Sequence, residues 1–121
     1  MKVFSTHFVL KGGSDYIDLV PVFPDILRTL LQDIGQMPEE EEIMNMLIDL
    51  NISDLERNRK PEGYNRKGKI RLVFPMDRKE FYLKTYGKNN DLAKVSDKVA
   101  AILKDGGVNF DILQNDDADF D

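Results

Sequence analysis

Apolar positions along this chain follow two rhythms, and the points where the rhythm changes mark its elements. Lys2–Leu10 is rich in β-formers (Val3, Phe4, Thr6, Phe8, Val9), and Gly12-Gly13 supplies the positive φ values of a tight reversal. Asp15–Val22 then reads as a second strand, making an N-terminal hairpin in which Pro21 ends the strand or sets it at an edge. From Pro24-Asp25 the spacing becomes helical: Ile26, Leu27, Leu30, Leu31 and Ile34 share one stripe, and Gly35 closes it. Pro38 restarts the pattern with Glu39–Glu42 on a first turn that favours negative charge. There Ile43, Met46, Leu47 and Leu50 form the expected inner face, widened by Met44 and Ile48. Asn51 is a candidate break, after which Ser53 and Glu56 have the spacing of a capping box for one more short helix.

Residues 58–68 lack periodicity and contain Pro61, Gly63 and Gly68, which predicts an exposed loop. Alternation returns in Lys69–Phe74 and Lys79–Tyr86 around Pro75-Met76-Asp77-Arg78, the strongest hairpin signal of the chain. A helix from Asp91 to about Lys104 turns Leu92, Val95, Val99, Ile102 and Leu103 inward and stops at Gly106-Gly107. Val108–Leu113 alternates as a last strand, which a right-handed crossover would lay parallel to Lys79–Tyr86. The order ββααββαβ predicts an α+β fold: one mostly antiparallel sheet with helices packed on one face. At 121 residues a single domain is expected over residues 1–114, followed by a flexible acidic tail at 115–121.

Composition narrows the chemistry. There is no Cys, which removes disulfides, thiolate metal sites and cysteine nucleophiles. The one histidine, His7, cannot build a metal site alone, and no G-x-S-x-G elbow surrounds any serine. His7 is therefore read as structural. Gly12-Gly13-Ser14 lacks the GK[ST] of a phosphate loop and precedes a strand rather than a helix. Asp117, Asp119 and Asp121 begin like a calcium loop but have neither its later glycine nor its terminal Glu. No carboxylate pair has spacing that suggests acid–base work, so a non-catalytic protein with no metal and no cofactor is expected. No apolar run is long enough to cross a membrane, and a soluble cytoplasmic protein is expected, with no small-molecule substrate evident.

Charge changes the picture more. Eleven of the 17 Lys and Arg residues fall between Arg57 and Lys88, with acidic blocks on both sides, so the net charge of −5 conceals a basic centre. Pairing across a four-residue turn would set Leu72 against Phe81 and Ile70 against Leu83 on the buried face. Lys69, Arg71, Tyr82, Lys84 and Tyr86 then lie on the other face, with Arg71 opposite Tyr82 and Lys69 opposite Lys84. Cations interleaved with aromatic rings are the elements of a single-strand nucleic-acid platform. The loop residues Arg57, Arg59, Lys60, Tyr64, Arg66 and Lys67 could add a mobile phosphate-contacting arm. Lys and Tyr also cover the solvent face of ordinary sheets, and the Gly-aromatic signature of a recognisable RNA-binding sheet is missing.

The alternative is an acidic protein-binding inhibitor, in its sharp form a nucleic-acid mimic of the viral or mobile-element kind. It would occupy a basic groove through Glu39, Glu40, Glu41, Glu42, Asp49, Asp54 and the tail. Partners are accordingly nucleic acid or a basic, nucleic-acid-handling protein, and a homodimer is compatible with either reading.

Overall fold

The computed structural model describes residues 3–65, 70–86 and 90–116. Strand β1 (Val3–Leu10) is followed by a 3-10 turn (Tyr16–Leu19), helices α1 (Phe23–Asp33) and α2 (Glu41–Glu56), strands β2 (Arg71–Val73) and β3 (Glu80–Tyr86), helix α3 (Asn90–Asp105) and strand β4 (Phe110–Asp116). The four strands form one antiparallel sheet in the order β2-β3-β1-β4. The fold is α+β, as the patterning predicts. Two interleaved β–α–β passes build it: β1 reaches β2 through α1 and α2 with β3 between them, and β3 reaches β4 through α3 with β1 between them.

One sheet face carries the core. Phe8, Leu72, Phe81 and Leu83 from the strands join Phe23, Ile26, Leu27, Leu30 and Leu31 of α1, Met44, Leu47 and Leu55 of α2, and Leu92, Val95, Val99 and Leu103 of α3. Phe74 sits among rings, with centroids 5.4 Å from Phe81 and 6.4 Å from Phe23. Each such side chain contributes about 1.5–3 kcal/mol when fully buried. A Lys98–Asp33 ion pair at 2.9 Å ties α3 to the end of α1.

Several sequence expectations are corrected. Asp15–Val22 is not a strand: Asp15 accepts from the Tyr16 N–H and its own N–H donates to Asp18, a capping box that closes a 3-10 turn, with Tyr16 and Leu19 buried three residues apart. Gly12 and Gly13 do reverse the chain, at φ 60° and 88°. Helix α2 runs unbroken through Asn51, because the buried Asn51 amide donates to the Leu47 carbonyl and accepts from the Gly63 N–H at 2.7 Å, leaving its polar atoms paired. The strands β2 and β3 pair with Leu72 opposite Leu83, two residues away from the expected register. A shift of two keeps each side chain on its face, so Ile70, Leu72, Phe81 and Leu83 are buried as expected. Strand β4 runs in the same direction as β3 but does not pair with it; β1 lies between them, and β4 extends to Asp116. The tail residues 117–121 lie outside the described residues.

The described part of the 58–68 loop, residues 58–65, is tied to the sheet. Tyr64 and Leu72 exchange backbone hydrogen bonds at 2.8 and 2.9 Å, strapping the loop to β2. Gly63 enters this strap at φ 75°, where a Cβ would run into the Leu72 carbonyl oxygen.

Candidate functional site

Alternation along β1 and β3 places Ser5 and His7 beside Glu80, Tyr82, Lys84 and Tyr86 on the sheet face away from the helices. Arg71 and Val73 of β2 share that face. It is unlike the exposed basic platform expected from the sequence. Tyr82 is 2% exposed and Lys84 8%, whereas Tyr86 is 44% exposed. All three lie on β3, an inner strand flanked by β1 and β2. Tyr82 packs against His7 with tilted rings, centroids 4.7 Å apart, and is the one buried large apolar side chain outside the core cluster among the described residues.

The two-residue register shift redistributes the cations. Arg71 stands opposite Lys84 rather than Tyr82, and both cations sit over the Tyr86 ring, at 5.9 and 5.5 Å from its centroid. Of the five residues named for the basic face, the structure thus brings Arg71, Lys84 and Tyr86 together and buries Tyr82; Lys69 lies outside the described residues.

Patterning misses a polar line on the same face. Ser5 Oγ and His7 Nε2 are 2.9 Å apart, His7 Nδ1 and Glu80 Oε2 are 2.7 Å apart, and Arg78 Nε reaches Glu80 Oε1 at 3.2 Å. The connectivity is that of a hydroxyl–imidazole–carboxylate triad. Ser5 is 2% exposed, and none of the three lines a described cleft. The line pairs buried polar groups across β1 and β3, in keeping with the structural reading of His7. Its sequence signal was weak, since Glu80 is brought to His7 only by strand register.

The basic loop comes apart into separate pieces. Arg57 ends α2. Arg59 is held by Asp54 at 3.0 Å, Lys60 lines a cleft beside α2, and Tyr64 is buried with its hydroxyl on Gln36. Arg66 and Lys67 lie outside the described residues. The described part is therefore no mobile cationic arm: the strap to β2 and the Asn51–Gly63 hydrogen bond fix it.

Helix α2 holds the other correction. Its inner side is Met44, Leu47, Ile48, Asn51 and Leu55, while Ile43, Met46 and Leu50, expected in the core, are 42%, 52% and 60% exposed. The helix is apolar on two sides, and its stripe faces the core about one position away from the expected one. The outward residues stand at i, i+3 and i+7, so they share a face. Met46 and Leu50 line an open cleft of about 440 Å³ with Glu42, Asn45, Asp49 and Ser53. Leu50 also borders a second cleft of about 360 Å³ with Leu47, Asn51, Lys60, Glu62, Gly63 and Asn65. Of the six acids named for this surface, Glu41 is paired with Arg28 and Asp54 with Arg59. Glu39, Glu40, Glu42 and Asp49 are exposed, with no ion pair among the described residues.

Elsewhere the electrostatics are structural. The Lys79 ammonium, 2.6 Å from Asp15, holds that carboxyl below its ordinary value, and the carboxylate in turn raises Lys79. Burial raises the Tyr16 phenol, whose hydroxyl donates to the Arg78 carbonyl. No three His, Asp or Glu side chains cluster as metal ligands among the described residues. No helix is long and apolar enough to cross a membrane among the described residues. A scan of the chain against protein-family models matches none, and searches of curated proteins and of solved structures return no significant match.

Proposed function

We propose that this chain is a small non-catalytic regulatory protein that acts by macromolecular contact, with the outer side of α2 receiving a basic amphipathic helix of a partner protein. The observation that carries this reading is the exposed Ile43–Met46–Leu50 stripe on an otherwise well-packed helix. Apolar side chains grouped on one helix side and rimmed by polar residues mark contact surfaces. The rim specifies the partner: Glu42 and Asp49 line the cleft, and the exposed Glu39 and Glu40 lead into the helix, a negative charge that favours Lys and Arg on the incoming side chains and repels acidic competitors. An open cleft beside a helix suits anchors spaced one helical turn apart. Such a protein would act by covering a basic surface that its partner otherwise uses.

The test is calorimetric titration with a synthetic Lys/Leu amphipathic peptide of about 18 residues, long enough to be helical when bound. Saturable binding is expected. Met46→Ser with Leu50→Ser should weaken it at least about tenfold, as loss of central anchors does. Glu42→Gln with Asp49→Asn should weaken it less and flatten its salt dependence. Equal binding of a peptide of the same composition with scrambled spacing would reject the reading. So would a dimer, seen by light scattering, that Leu50→Ser dissociates, because the stripe would then belong to a second copy of this chain.

A further inference from the structure

We propose that Arg71, Lys84 and Tyr86 form a phosphate-binding site for single-stranded nucleic acid at the Tyr86 end of the sheet face away from the helices, opposite in chemical character to the α2 surface and independent of it. Three observations converge. Arg71 and Lys84 are directly paired across β2 and β3, a like-charge juxtaposition that destabilises a sheet unless an anion lies between the charges. Lys84 is more than nine-tenths buried, and no carboxylate pairs with it among the described residues. Among the described residues, the acids that share its face are committed elsewhere: Glu80 to His7 and Arg78, and Asp111 of β4 to Lys11 at 2.6 Å. The Arg71 Nε–H is also buried without an acceptor, so the guanidinium has donor capacity that the protein does not use.

Tyr86 supplies the ligand class. Both cations lie within 6 Å of its ring, and the ring itself is close to half exposed. A sulfate-rich polysaccharide would use the two charges and ignore the ring. A nucleic-acid strand uses both, with a phosphodiester against the cations and a base on the exposed aromatic edge. A duplex keeps its bases stacked inward and offers none to the tyrosine.

The measurement is fluorescence anisotropy at about 50 mM salt with a labelled single strand of about 12 nucleotides, run beside the matching duplex, heparin and inorganic phosphate. The single strand should bind more tightly than duplex or heparin, and millimolar phosphate should displace it. Lys84→Met, which keeps the buried stem, and Arg71→Gln should each cost about tenfold in affinity and lower the salt slope by about one. Tyr86→Leu should cost at least about fivefold and leave the slope unchanged. Without ligand, Lys84→Met should raise Tm by about 2–4 °C, since it removes a buried cation that lacks a counter-charge. Absence of single-strand binding would overturn the proposal, as would affinity that survives all three substitutions. Heparin binding as tightly as the strand and indifferent to Tyr86→Leu would overturn the nucleic-acid assignment, and a fall in Tm for Lys84→Met would identify the lysine as structural.

Discussion

The outer side of α2 and the sheet face away from the helices both lie outside the core, yet they depart from expectation in opposite directions. On α2, Ile43, Met46 and Leu50 point into water. On the sheet, Ser5, His7, Glu80 and Lys84 are buried. Most outward helix positions are polar and most buried positions apolar, so each surface departs from the prevailing pattern. Departures of that kind concentrate where a protein meets something else. The difference also separates their physics: an apolar stripe with an acidic rim selects a partner by shape and repulsion, whereas paired cations on a ring select an anion.

The comparison breaks most visibly at α2 itself. Met44 is fully buried and Met46 half exposed on the same helix. Met44→Ala should cost about 2–5 kcal/mol in urea unfolding, the range for a buried large-to-small change. Met46→Ser should stay within about 0.5 kcal/mol while losing the peptide. Comparable stability losses at the two positions would mean that the outer stripe is packed after all. On the sheet, Glu80→Leu leaves His7 Nδ1 and the Arg78 guanidinium without their shared carboxylate, and should cost about 1–3 kcal/mol. A neutral outcome would show that the polar line does not hold β1 to β3.

Between the two surfaces lies Asn51, whose side chain joins α2 to the strap that feeds β2. Asn51→Ala should cost about 1–3 kcal/mol and speed amide exchange at Gly63, because that buried-side N–H loses its acceptor. The smallest effect is expected at the far corner. Asp15, held below its ordinary pKa of 3.8 by Lys79, stabilises the fold above its unfolded value and loses that contribution as pH falls through its lower folded value. Asp15→Asn should therefore give a shallower acid limb below about pH 4 in a stability–pH profile. An unchanged limb would show that the pair does not persist in solution.

Legibility followed the strength of local pattern. Helix α1 was readable because its apolar residues fall on a single stripe, and α3 because glycines end it. The faces of the β2–β3 hairpin survived a register error, since side-chain direction depends only on whether a shift is odd or even. What could not be read was tertiary. Asp15–Val22 has strand-forming residues, but a capping box and the burial of Tyr16 and Leu19 select a 3-10 turn. Helix α2 offers two apolar sides, and only packing against α1 and the 3-10 turn chooses Met44 over Met46. Asn51 looked like a helix breaker because its partner, Gly63, lies 12 residues away. The Arg71–Lys84–Tyr86 cluster was half visible: its residues could be named, but their mutual arrangement depends on register.

The most direct test is a titration followed by the backbone amide resonances of the intact chain, using the amphipathic peptide as ligand. The α2 docking surface requires the shifts to concentrate at residues 42–53 and to spare residues 71–73 and 82–86, which should move only when single-stranded nucleic acid is added. Shifts centred on the sheet face, or an α2 that stays silent while the peptide binds, would contradict it.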